Sequence, residues 1–234
     1  MLALIGIDCA TQPNKVGLAL GEHDGEVVRI RACLTGSPKH QPAAIVSHWL
    51  EQADTALLAL DAPLGWPLAL GKALAAHQAG DGMGAVAHAL FRRQSDDDIH
   101  QRFGKRPLEV GANFISRTAV AALQLLNELR VRSGASIPLA WSPEDLSPFA
   151  AIEVYPAATR LAHRSPGKGG SIEGLEPLFD LSPLNGGLPV SADAIDALVC
   201  VLAAADFMRG CARPPCDLFI ARQEGWIWTA DRSK

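Results

Sequence analysis

Tyrosine is almost missing from this 234-residue chain: Tyr155 stands alone beside five Trp and seven Phe. A stacking platform for single-stranded nucleic acid, which needs a row of aromatic rings, is therefore not written into the composition. Cysteine is sparse as well. Cys9, Cys33, Cys200, Cys211 and Cys216 are odd in number, spread out and without a CxxC pair, so neither a disulfide framework nor a zinc knuckle is indicated. No stretch approaches the roughly 18 uncharged apolar residues of a membrane span, so no membrane partner is expected. The first ten residues lack the Lys or Arg that opens a secretion signal; Leu2 to Ile7 reads as a strand, and the expected location is the cytoplasm. Positive charge is in slight deficit. A net charge of -4 gives no overall attraction to a polyanion, although a basic groove within an acidic surface is compatible with it.

What the chain does have is a carboxylate at an unusual place. Asp8 follows the apolar run Leu2 to Ile7, on a segment that reads as a buried strand. Burying an unpaired charge there costs several kcal/mol, so a metal ion or hydrogen bonds must hold it. Further on, Lys15 to Leu20 reads as a second strand, Glu22 to Gly25 as a turn, and Glu26 to Leu34 as an alternating third. Pro42 to Ala53 has helical spacing, and Thr55 to Leu60 is an uninterrupted apolar strand ending at Asp61-Ala62-Pro63.

From residue 68 to 135 the sequence is Ala-rich and helical in pieces, with a long helix over Ser116 to Val131, and reads as a helical insertion. Ala150 to Tyr155 is a short strand carrying Glu153, and Ser191 to Met208 is an apolar helix opening with Asp193 and Asp196. Asp217 to Trp228 reads as a hairpin around Glu224-Gly225. The expectation is one α/β domain over residues 1–234: three meander strands, a helix, a fourth strand, the insertion, a fifth strand, a helix and the hairpin. This is the order of a ribonuclease H-like fold, a mixed five-stranded sheet flanked by helices, in which the first and fourth strands run parallel and Asp8 faces Asp61.

Asp8, Asp61, Glu153, Asp193 and Asp196 thus lie at strand ends or a helix start. Converging hard oxygen donors suit Mg2+ or Mn2+, and all five are candidate metal ligands. Two such ions roughly 3.5–4 Å apart activate a water and stabilise the leaving oxygen of a phosphodiester, with no His or Cys nucleophile. Asp8, Asp61, Glu153 and Asp193 are the candidate catalytic set. Each also has a plainer reading: helix-dipole partner for Asp193, turn residue for Asp61, backbone-bonded carboxylate for Glu153. Arg92 and Arg93, followed by Gln94-Ser95 and then Asp96, Asp97 and Asp98, either clamp a phosphate or open a helix capped by Ser95 or Asp96. Arg102, Lys105 and Arg106 add basic charge nearby, which makes Arg92, Arg93, Asp97 and Arg102 candidate substrate-binding residues. Gly167-Lys168-Gly169-Gly170-Ser171 is like a phosphate loop in composition alone, because it lacks the Walker spacing and a preceding strand.

These segments together resemble the family catalogued as domain of unknown function 429. The resemblance is carried by Ile5-Gly6-Ile7-Asp8, Leu60-Asp61-Ala62-Pro63-Leu64-Gly65, Arg93 to Asp97, Ile152-Glu153-Val154-Tyr155-Pro156, Asp193-Ala194-Ile195-Asp196-Ala197 and Glu224-Gly225-Trp226-Ile227. It implies a ribonuclease H-like fold and metal-dependent cleavage of nucleic acid. It also implies acidic positions at Asp8, Asp61, Glu153 and Asp193, with Asp196 in place of or beside Asp193, and a polar pair of Arg93 with Asp97. Two other functions share this core: an ATP-dependent enzyme of the sugar kinase and actin superfamily, and a non-catalytic binding protein. The chain is short for the duplicated halves of the first. The Trp226/Trp228 hairpin either supplies an apolar contact for a homodimer or is an ordinary core strand, since aromatics favour strands.

Overall fold

The computed structural model describes residues 2–24, 27–111, 113–184 and 186–231. Its centre is β1 (Leu2–Asp8), apolar on both faces and therefore buried between helix layers. β2 (Gly17–Asp24) and β3 (Val27–Thr35) continue from it as an antiparallel meander. The strands start and end later than the sequence pattern suggests. Pro13–Lys15 forms a 3-10 turn, Glu22, His23 and Asp24 belong to β2, and Gly25 and Glu26 lie outside the described residues.

After helix α1 (Pro42–Glu51) the chain returns through β4 (Thr55–Asp61), parallel to β1, and β5 (Phe149–Val154) adds on parallel to β4. Between them lie four helices, α2 (Leu68–Leu74), α3 (Ala87–Phe91), α4 (Gln94–Phe103) and the long α5 (Ile115–Ser133). Helix α6 (Pro156–Ala162) follows, then strand β6 (Phe179–Asp180), helix α7 (Ala192–Met208), helix α8 (Leu218–Glu224) and strand β7 (Ile227–Trp228).

The sheet order is β6-β3-β2-β1-β4-β5-β7, seven strands rather than the expected five. The inner five keep the expected order and directions; β6 and β7 are two-residue parallel additions at the edges, too short to give an alternating pattern. The C-terminal hairpin is also corrected. Asp217 caps α8 by accepting from the Ile220 N–H, and Gly225, at φ 83°, ends it, so the first half of the supposed hairpin is helical. Helix α4 is capped by Arg93 and not by Ser95 or Asp96: Asp96 reaches back to accept from the Arg93 N–H at 3.0 Å. Trp226 and Trp228 are 2% and 4% exposed. Trp228 meets Phe207 edge to face at 4.7 Å, so these rings build the core and supply no surface for a dimer.

Alternation along the strands divides the interior in two. Leu4, Leu57, Ala59, Ala150, Ile152 and Val154 pack with α7 on one face; Ala3, Ile5, Ile7, Ala56, Leu58, Leu60, Phe149 and Ala151 pack with α1 and α5 on the other. Helix α7 lies unusually close to the sheet. A Cβ on Gly17 would stand 1.8 Å from the Asp193 carbonyl oxygen, and one on Gly6 would stand 1.9 Å from that of Ala197. Two glycines thus let the helix backbone rest on β1 and β2, which fixes how deep its first turn sits beside Asp8. Since the obstructing atoms are main chain, Gly17→Ala is expected to lower stability by about 3 kcal/mol or more, read by chemical denaturation; a loss under about 1 kcal/mol rejects this close seating.

Candidate functional site

Parallel pairing of β1 with β4 sets Asp8 directly opposite Asp61 at the ends of both strands. Each continues the alternation that faces α7, Asp8 after Leu4 and Gly6, Asp61 after Leu57 and Ala59. From the α7 side, the close seating of the helix brings the negative charges of Asp193 and Asp196 within reach of Asp8. Burial, then Asp196 and Asp193, raises the Asp8 carboxyl to about 8, with Arg160 acting in the opposite sense. Burial, then Asp8, Asp196 and Glu153, holds Asp61 well above the usual carboxylate range, again opposed by Arg160. Two adjacent carboxyls in this state bind protons as a pair.

Glu153 sits differently. It alternates with Phe149 and Ala151, so it belongs to the α1 and α5 face, and its register partner is Leu60, one residue short of Asp61. There Arg93 takes it with both ends of the guanidinium: Nη2 donates to Glu153 Oε1 at 2.7 Å and Nη1 to Oε2 at 2.9 Å. Arg93 Nη2 also donates to Asp96 Oδ1 at 3.0 Å, and the Leu64 N–H donates to Glu153 Oε2 at 2.9 Å. The Arg93, Asp96 and Glu153 side chains are 1%, 3% and 3% exposed. Gly225 closes the assembly; a Cβ there would stand 2.6 Å from Glu153 Oε2. Glu224 extends it by accepting from the Leu68 and Gln94 N–H groups. The network therefore ties α2, α4 and α8 to β5.

Arg93 is consequently not placed to clamp a phosphate. Arg92 pairs with Asp97 at 3.4 Å and Glu109 at 3.2 Å, and Asp97 also meets His88 at 3.0 Å. The implied polar pair of Arg93 with Asp97 is thus replaced by Arg93 with Asp96 and Arg92 with Asp97. Arg102 is held by Asp98 at 3.1 Å and by Thr229 Oγ1 at 2.9 Å, and lies over the Phe103 ring. Of the predicted substrate-binding residues, Arg92, Arg93 and Arg102 are all committed to internal partners.

Asp8, Asp61 and Glu153 line one cavity of about 280 Å³ with Cys9, Pro63, Arg93, Pro107, Leu108, Ile115, Thr118 and Tyr155. Its walls are mainly apolar, and the chain between α4 and α5 supplies one side. The Tyr155 hydroxyl, pushed up to about 12 by burial and Asp61, stays protonated. Burial, then Asp61 and Asp8, also holds the Cys9 thiol far above its usual value, so it is no thiolate nucleophile. Asp193 and Asp196 are half-buried on the first turn of α7. Asp196 Oδ1 accepts from Arg160 Nη2 at 2.5 Å and from the Gly170 N–H at 2.9 Å.

Mg2+ or Mn2+ is the cofactor expected from the pattern of acids in the sequence. Asp8 and Asp61 fit it in kind, as hard oxygen donors that have, among the described residues, no direct cationic partner. Among the described residues, however, no three His, Cys, Asp or Glu side chains are grouped closely enough to form a ligand set. Of the five predicted ligands, Asp8 and Asp61 face each other, while Glu153 is held by Arg93 and Asp196 by Arg160.

The family described as "Protein of unknown function (DUF429)" matches residues 6–218. The chain belongs to the DUF429 family. The match spans from β1 to the start of α8 and takes in every predicted acid. No curated protein matches the chain significantly. Two solved structures are similar to this DUF429 protein, Thermus thermophilus RuvC alone, at 12% identity, and T. thermophilus RuvC in complex with a Holliday junction substrate, at 13%. Each has a TM-score of 0.41 and covers 91% of this chain and 99% of the other.

Reading the residues alone missed Arg160 and the apolar wall at Pro107, Leu108 and Ile115, and it gave Asp96 and Glu224 other roles, a helix cap and a turn. Arg160 left one signal, a cation in the otherwise apolar opening Pro156-Ala157-Ala158-Thr159 of α6.

Two outcomes follow. The folded state holds protons on Asp8 and Asp61 that the unfolded chain releases, so metal-free stability is expected to fall as pH rises from 3.8 through about 8. Asp8→Asn should flatten that slope and stabilise the metal-free protein by about 1–2 kcal/mol at the alkaline end, measured by denaturant titration across pH. A steeper slope refutes the crowding of the two acids. Arg93→Ala is expected to cost about 3–5 kcal/mol by stranding Glu153 and Asp96, with the same measurement; unchanged stability would instead mean a solvent-facing arginine.

Proposed function

We propose that this protein is a divalent-metal-dependent hydrolase of phosphodiesters in nucleic acid, with Asp8 and Asp61 as its metal-holding pair. The observation that carries the reading is their register: two carboxyls face each other across neighbouring parallel strands, crowded and partly buried, in a cavity open to a ligand. Crowding of like charges raises the proton affinity of both, and a divalent cation relieves the same repulsion. When bound, Mg2+ or Mn2+ supplies Lewis-acid activation of a water and of the phosphate.

The chain's own residues do the rest. Asp8 and Asp61 would hold the cation, and with Asp196 engaged by Arg160 the further acid on the first turn of α7 is Asp193. Pro107, Leu108, Ile115 and Tyr155 keep bulk water off the acid pair and give an apolar surface to a sugar or base. Glu153, held by Arg93, shapes the floor and adds negative potential at Asp61. Arg92, Asp97 and Arg102 act in this reading by fixing the segment that walls the cavity.

A binding protein on the same fold is the second reading, favoured by the fact that the acids among the described residues form no three-ligand group. Manganese calorimetry on the wild type and Asp61→Asn, followed by cleavage of labelled single-stranded, duplex and branched oligonucleotides, separates the two. Saturable binding and cleavage, each lost by at least tenfold in Asp61→Asn, are expected, since each tenfold is about 1.4 kcal/mol of ligand interaction. Saturable metal binding without cleavage of any substrate supports the binding protein, and normal cleavage by Asp61→Asn refutes the assignment.

A further inference from the structure

The acids around the cavity are not equally free. Glu153 is paired with Arg93. Asp196 has a comparable partner in Arg160, whose side chain is 3% exposed. Arg160 Nη2 donates to Asp196 Oδ1 at 2.5 Å and Nε to the Ser171 carbonyl at 2.9 Å, while the Gly170 N–H donates to the same Asp196 oxygen. Asp196 Oδ1 thus accepts two hydrogen bonds, one from a full positive charge, and both donors are anchored. One comes from α6, packed against α7, and the other from the Gly167-Lys168-Gly169-Gly170-Ser171 loop. The composition of that loop suggests phosphate binding, yet its backbone is spent on an internal carboxylate.

Arg160 is also a cation among acids. Asp196, which it holds, lies one turn along α7 from Asp193, whose main chain rests on Gly17, the β2 residue paired with Asp8, so this ion pair stands beside the acids assigned to the metal. A two-ion centre needs a second set of oxygen donors roughly 3.5–4 Å along from the first. On the α7 side, a second ion would meet a guanidinium and a carboxylate already neutralised by it.

We propose that Arg160 is the resident cation of this site: a positioning residue that holds Asp196 out of the ligand set and limits the substrate-free protein to one divalent ion, at Asp8 and Asp61. This rests on the metal reading above and specifies how many ions that reading allows.

The test is a calorimetric titration with Mn2+ on the intact wild type, Arg160→Lys and Arg160→Gln, with manganese anomalous scattering from wild-type crystals soaked in the same ion. One ion per chain is expected for the wild type and Arg160→Lys. Arg160→Gln is expected to admit a second ion, or to bind the first about tenfold tighter through loss of a nearby positive charge. The crystals should show a single manganese peak, with Asp196 still on Arg160. Two ions in the wild type, Asp196 swung onto the metal, or Arg160→Gln binding one ion at unchanged affinity each overturn the proposal. No ion in the wild type overturns the metal reading itself and this proposal with it. If Arg160→Gln does not fold, the wild-type peak count and the position of Asp196 decide alone.

Discussion

Everything at the carboxyl edge of this sheet turns on how buried negative charge is compensated. A single unpaired carboxylate in a protein interior is costly enough to be protonated or moved, and this chain gathers five acids along one edge. The fold answers with two buried arginines from different helices, Arg93 against Glu153 and Arg160 against Asp196. Among the described residues, Asp8 and Asp61 are left facing one another without such a partner. The chemistry of the site is what remains after the fold has neutralised the rest.

The same arginines organise the architecture. Arg93 draws the insertion between β4 and β5 down onto the sheet, since its bonds to Asp96, Glu153 and the Glu224 carbonyl join three separate parts of the chain. Arg160 binds α6, α7 and the 165–174 loop through Asp196 and Ser171. Buried ion pairs of this kind add little net stability compared with an apolar equivalent, but they are stringent about geometry, because each half is expensive without the other. They suit a place where helices must be set against a sheet with little freedom. Gly6 and Gly17 do the same by contact, admitting the α7 backbone against β1 and β2 where any side chain would obstruct it.

Much of this was legible in the residues. Apolar runs of strand length ending in Asp marked β1 and β4, and helical periodicity marked α1, α5 and α7 within a residue or two. The facing of Asp8 and Asp61 followed from topology, since parallel neighbours with equally long apolar runs end together. The hairpin expected at the C-terminus failed because Asp217 is a helix cap and the aromatic pair after Gly225 joins β5 in parallel. Strands of two residues, such as β6 and β7, carry no periodicity to read.

Which segments are buried, and where the acids fall along them, can be read from the order of residues, because hydrophobic periodicity and the residues that end strands and helices are local properties. Only the tertiary structure decided which acids share a partner. Arg93 lies 60 residues from Glu153, and Arg160 lies 36 from Asp196. Whether a carboxylate is a candidate ligand or one half of a buried ion pair depends on the face of the strand it occupies and on which distant guanidinium reaches it, and charge compensation over that separation leaves no pattern in the order of residues.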